Sequence, residues 1–169
     1  SSCGGPKYFT YINQELPTLC RRFFGIQPVP ERTYIMGLSM GGYGAMKCAF
    51  TAPQQYAGCA GFSSVAEIQA ELPQLCRWHE DQAIFPHGIV PPQDDLFDLV
   101  EKFRDGTCPM PRLFLACGQQ DSLYPANLRL RDTLLAMNWP LTWYEAPGDH
   151  NWFFWNDALG RAMKELLEN

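Results

Sequence analysis

One serine in this chain stands inside a knot of glycines, in the stretch "TYIMGLSMGGYGAMKCAF" from Thr33 to Phe50. Gly37-Leu38-Ser39-Met40-Gly41 spells G-x-S-x-G, with an apolar, β-branched run before it and a helix-like run after it. In a strand–turn–helix setting this pattern holds the serine in a strained turn and lifts its hydroxyl above the sheet. Side chains two residues before and two after Ser39 would meet neighbouring backbone, so glycine is expected to be required at both Gly37 and Gly41. The helix that follows aims its free N–H groups at the hydroxyl and favours a developing negative charge, with Met40 N–H as the expected oxyanion donor. The plainer alternative is a glycine-rich turn that packs a helix closely on a strand.

A serine hydroxyl needs a base to become a nucleophile, and the base needs a carboxylate to orient it. The chain has three histidines: His79, His87 and His150. His79 and His87 fall in a proline-rich stretch, where a solvated or lid histidine is expected. His150, in "YEAPGDHNWFFW", directly follows a strand pattern and is the best candidate base. Asp121, in "RLFLACGQQDSLY", stands just past the preceding strand and is the leading acid, with Glu67 as its rival. Asp149 adjoins His150 too closely in sequence to orient its ring. Serine, acid, histidine is the chain order of α/β-hydrolases. Most of the run Trp152, Phe153, Phe154, Trp155 is expected in the core, with Trp152 placed to wall an acyl pocket. Asp94 and Asp95 read as first-turn residues of a helix rather than paired catalytic carboxylates.

These groups must be carried by ordered elements. Four continuous apolar runs, Thr33–Leu38, Gly58–Phe62, Leu113–Cys117 and Leu141–Tyr144, read as strands covered on both faces. Helical patterns occupy Tyr8–Phe24, Met40–Phe50, Asp95–Phe103, Ala126–Met137 and Asn151–Leu167. Pro17 should bend or divide the first, and Gly25 should stop it. The last carries Trp155, Leu159, Met163, Leu166 and Leu167 on one expected apolar face. Strands alternating with helices imply a single α/β domain over residues 1–169, with a parallel sheet. Ser64–Pro111 is too long for a plain connection and is expected as an excursion over the ligand-binding end of the sheet.

Composition sets outer limits. At 169 residues, with 46% hydrophobic and 18% charged residues, the chain can bury a core. Its formal net charge of −5 argues against a nucleic-acid partner. No apolar run is long enough to span a bilayer, and "SSCGGPKYFT" lacks a signal-peptide pattern. Seven scattered cysteines, with no C-x-x-C pair, read as reduced thiols of a cytoplasmic protein rather than disulfides or a zinc site. Cys48, Cys59 and Cys117 sit in apolar segments and are expected in the core.

With these motifs in place, the chain resembles the Putative esterase family of α/β-hydrolases, which includes esterase D, the antigen 85 mycolyltransferases and feruloyl esterases. The likeness is closest to the small tributyrin esterases. It rests on "YFTYINQELP", "GLSMGGYGAMKCAF" with Pro53 and Tyr56, "DDLFDL", "CGQQDSLYPANLRLRDTL" and "PGDHNWFFWNDAL". The resemblance implies Ser39 as nucleophile, Asp121 as acid and His150 as base, with no metal or organic cofactor. It also implies several strands ahead of Tyr8, one of which flanks the nucleophile strand, and a loop that supplies the second oxyanion donor. Neither is in this sequence, so an upstream segment, a partner chain or a second copy is expected to complete the sheet and the oxyanion hole. The expected activity is hydrolysis of short-chain acyl esters through an acyl-enzyme. Alternatives are a carbohydrate-ester hydrolase acting on feruloyl or acetyl groups, acyl transfer to another acceptor, or a silent binding subunit.

Overall fold

The computed structural model describes residues 7–75 and 84–168. His79, Cys3 and Cys76 lie outside the described residues. Four strands, β1 (Tyr34–Leu38), β2 (Gly58–Phe62), β3 (Arg112–Gly118) and β4 (Leu141–Ala146), form one parallel sheet in the order β1-β2-β3-β4. The register pairs Leu38 with Phe62, Phe62 with Ala116 and Ala116 with Tyr144. All four strands therefore end along one edge, where the following loops gather.

The helices are α1 (Tyr8–Thr10) and α2 (Leu16–Phe24), joined by a π turn at Tyr11–Glu15, then α3 (Met40–Thr51), α4 (Ile68–Leu75) and α5 (Leu96–Glu101). After β3 comes α6 (Tyr124–Ala136), and after β4 comes α7 (Trp152–Leu167). Pro17 does not divide the first helical segment. The widened turn at Tyr11–Glu15 directly precedes it, a form of helix that accommodates the carbonyl a proline cannot bond. Gly25 ends α2 in the left-handed conformation, its N–H on Arg21 O.

Side-chain alternation sends Ile35, Cys59, Leu113 and Leu115 to the face packed with α3 and α6, and Met36, Ala60, Phe62 and Phe114 to the face under α7. Only β2 and the body of β3 are covered on both faces. β1 and β4 are half-buried along their length because they are the edges of the four-stranded sheet. On α7 the buried residues are Phe154, Trp155, Ala158, Ala162 and Leu166. Leu159, Met163 and Leu167, expected on the same apolar face, are exposed, because α7 is the single described helix that packs there.

Part of the excursion, residues 76–83, lies outside the described residues, and its helix α5 packs into the core. Leu96, Val100 and Phe103 join the core beside α3 instead of standing over the end of the sheet. Asp95 is the N-cap of α5, accepting from Phe97 N and Asp98 N, and Asp94 pairs with Lys47. The α1–α2 segment is tied to α3 through Asn13. Its Nδ2 donates to Cys48 Sγ at 3.0 Å, and its Oδ1 accepts from Tyr56 Oη at 2.6 Å.

Cys48, Cys59 and Cys117 are buried free thiols, as their apolar settings predict. Burial raises the pKa of all three, pushing Cys117 up to about 12 with the Asp121 charge as a lesser cause. Each is a neutral thiol at pH 7. A thiol-reactive chromophore is expected to titrate the partly exposed Cys20 and Cys108 in the native protein and to reach these three only on unfolding; rapid native labelling of Cys117 would contradict the packing.

Candidate active site

Ser39 sits between the last residue of β1 and the first of α3 with φ 54° and ψ −122°, a strained backbone for a non-glycine residue. Its N–H donates to Phe62 O at 2.8 Å, extending the β1–β2 ladder by one bond. Its carbonyl accepts from Gly42 N, Tyr43 N and Val65 N. A Cβ on Gly37 would lie 2.1 Å from Gly41 O, so glycine is required before the serine. Gly41 is different: a Cβ there meets nothing within 4 Å among the described residues, because it points outward from the first turn of α3. The close approach falls one residue later, where a Cβ on Gly42 would stand 2.2 Å from Ser64 Oγ. Met40 is the first residue of α3, so its N–H lies among those with no acceptor inside the helix.

His150 lies between β4 and α7, just before Asn151, whose side chain caps α7 by accepting from Phe153 N and Phe154 N. Its Nε2 is 3.0 Å from Ser39 Oγ. Its Nδ1 is 2.8 Å from Asp121 Oδ2. An ionised carboxylate only accepts, so Nδ1 donates and a neutral ring then turns its Nε2 lone pair toward the serine. Asp121 has no exposed side-chain area, and its second oxygen accepts from Leu123 N at 2.9 Å. The structure thus brings together Ser39, His150 and Asp121, three residues from three strand ends.

The loops that carry Asp121 and His150 are stapled to each other. Gln119 N donates to Ala146 O, Gln120 N to Gly148 O at 2.9 Å, and Gly148 N to Gln120 Oε1 at 2.6 Å. A Cβ on Gly118 would stand 2.4 Å from Gly148 O, so this backbone contact needs glycine at the end of β3. Both glycines are visible in "CGQQD" and "PGDH", but only the tertiary fold reveals that they meet.

The other candidates are accounted for elsewhere. Glu67 forms a two-pronged ion pair with Arg129 on α6, which holds its carboxyl below the usual range. Asp149 accepts from the His150 backbone N–H instead of its ring. His87 is exposed in a turn of the excursion. The aromatic run splits evenly: Phe154 and Trp155 are buried, whereas Trp152 is 62% and Phe153 92% exposed. Helix α7 has one face on the sheet, and Trp152 and Phe153 precede that face. Trp152 packs edge-on against Trp155, ring centres 5.4 Å apart, and Trp155 in turn packs edge-on against His150. Among the described residues no group of three or more His, Cys, Asp and Glu forms a metal site, and no helix is long and apolar enough to cross a membrane.

The elbow geometry makes Gly42→Ala an informative change. Ser64 Oγ is buried without a hydrogen-bond partner among the described residues and cannot be displaced into solvent. The expected loss is about 1–3 kcal/mol of unfolding free energy, as for other overpacked cores, read by chemical denaturation. Undiminished stability would contradict the close approach.

Comparison with known proteins extends this picture. The Putative esterase family model matches residues 1–97. An acetyl esterase of Caldicellulosiruptor saccharolyticus is 28% identical over 168 residues, which is 94% of this chain and 63% of that protein. Among solved structures, the fluorophosphonate-binding serine hydrolase FphF of Staphylococcus aureus superposes with a TM-score of 0.87 at 28% identity, covering all of this chain and 67% of that one. The S-formylglutathione hydrolase FrmB of the same organism gives 0.86 at 29%, covering 97% and 66%. This chain therefore spans roughly two thirds of the length of each of these relatives. A family match over more than half the chain, in a protein that superposes over all of its length on FphF and over 97% of it on FrmB, places this chain in the Putative esterase family, with an α/β-hydrolase fold.

Proposed function

We propose that this chain carries the catalytic side chains of a serine carboxylesterase for short-chain acyl esters. The observation that supports it is the line of contacts from Asp121 through His150 to Ser39. His150 Nε2 takes the hydroxyl proton as Ser39 Oγ bonds to the ester carbonyl carbon. Asp121 holds the ring through Nδ1 and stabilises the imidazolium that forms. The carbonyl electrons move to oxygen, where Met40 N–H meets the charge. Collapse expels the alcohol, protonated by His150, and leaves an acyl-enzyme; water then repeats the sequence and restores Ser39. The reading requires no metal or organic cofactor. The names of the relatives support small acyl groups, since acetyl and formyl are the two smallest. Trp152, exposed beside Trp155, is proposed to wall the acyl pocket.

The second oxyanion donor is proposed to come from a segment seated along β1. That strand pairs only with β2 among the described residues. Beside it lies a groove of about 610 Å³ lined by Ile12, Leu16, Ile26, Pro30, Tyr34 and Ile35. A strand added there, from the same protein or a partner, pairs the β1 backbone and covers apolar surface. A cytoplasmic location is proposed from the free cysteines.

Three outcomes are expected of the intact protein. A fluorophosphonate probe labels Ser39, and Ser39→Ala abolishes labelling; a variant that still labels removes Ser39 from the role. Asp121→Asn lowers kcat by about 10⁴-fold, since the amide supports the wrong imidazole tautomer. His150→Ala abolishes hydrolysis of p-nitrophenyl acetate, because no ring is left to accept the serine proton; full turnover by that variant would exclude His150 as the base.

A further inference from the structure

Two buried side chains behind the histidine take no part in the reaction sequence above. Trp155 is nearly buried and Ser63 wholly so. Ser63 directly follows β2 with φ 45°, and its N–H donates to Ala116 O at 2.7 Å. The next residue is clamped by buried Asn127, whose Nδ2 donates to Ser64 O at 2.8 Å while its Oδ1 accepts from Ser64 N. This firmly held turn presents Ser63 Oγ to Trp155, whose indole Nε1 donates to it at 3.1 Å. The Trp155 ring then meets the His150 ring edge to face, centres 4.9 Å apart and planes 87° apart.

The arrangement matters because of what the other contacts of His150 leave free. Its bonds to Asp121 and Ser39 run from its two ring nitrogens, whose N–H and lone pair are directed in the imidazole plane, so they resist tilting of the ring only weakly. The histidine sits on a loop with one third of its side chain exposed. An aromatic ring packed against it at right angles restricts that freedom, and only if it is itself anchored.

We propose that Trp155, anchored by Ser63, is a positioning residue that fixes the tilt of the His150 ring between Asp121 and Ser39. This rests on the esterase reading of the site. The hydrogen bond makes the two residues one device: removing either end frees the indole, and removing both does no further harm.

A double-mutant cycle tests it in the intact protein, with Ser63→Ala, Trp155→Phe and the pair, each matched for melting temperature against Leu166→Val at the far end of α7. Each single change is expected to lower kcat about tenfold with KM nearly unchanged, and the pair to lower it no further. Leu166→Val is expected to keep full kcat. The His150 Nδ1 proton, followed by nuclear magnetic resonance in a Ser39→Ala background, is expected to exchange faster with water in each variant. Full kcat in Trp155→Phe, losses that multiply in the pair, or unchanged proton exchange would overturn the proposal. The resonance needs no turnover, so an inactive parent protein would refute the esterase reading while leaving the brace testable.

Discussion

The contact on which the site depends is the 2.8 Å hydrogen bond between His150 Nδ1 and the fully buried carboxylate of Asp121. An ionised carboxylate taken out of water is expensive unless each oxygen finds a donor. Here Leu123 N–H serves one oxygen and the imidazole serves the other. The bond therefore stabilises the carboxylate and orients the imidazole at once. With Nδ1 committed as a donor, the remaining nitrogen faces Ser39.

The fold exists, in large part, to make that contact from residues far apart in sequence. A parallel sheet delivers all strand ends to one edge, and the β3–β4 register brings Gly118 opposite Ala146. Backbone bonds from Gln119 and Gln120 then tie the Asp121 loop to the His150 loop. The bare Gly118–Gly148 approach lets the loops close to the distance at which Asp121 reaches His150. On the other side, the ladder bond from Ser39 N to Phe62 O holds the elbow to β2, and the Ser63 turn continues the same line to Ala116.

Much of this was legible in the sequence because it depends on local rules. The four apolar runs became the four strands, with ends that differ by at most two residues, since continuous apolar runs bounded by turn residues read clearly. The candidate serine, acid and histidine each stand at a strand end in the expected order, where periodicity alone locates them. What could not be read was which neighbours approach. Gly41 and Gly42 look alike in "SMGGYG", yet only Gly42 is crowded, and by a residue from the next loop. The partition of "WFFW" into two exposed and two buried rings depends on where α7 meets the sheet. Leu159 and Met163 fit the helical stripe but find no partner in the described core, because one helix covers only part of that face. Pro17 was legible as a disturbance, but not the π turn that absorbs it.

The half-buried β1 edge and the apolar groove beside it frame the same conclusion from the side of stability. Ser39, His150 and Asp121 are brought together within this chain, whereas β1 beside them pairs only with β2 among the described residues. The central claim, that Ser39 attacks an ester under the control of His150 and Asp121, has one direct measurement. The intact protein is mixed with p-nitrophenyl acetate, quenched in acid within a turnover, digested and analysed by peptide mass spectrometry. The account predicts an acetyl group on Ser39 that decays as water turns the enzyme over. Turnover with the acetyl group on another residue, or with none trapped on Ser39, would contradict it.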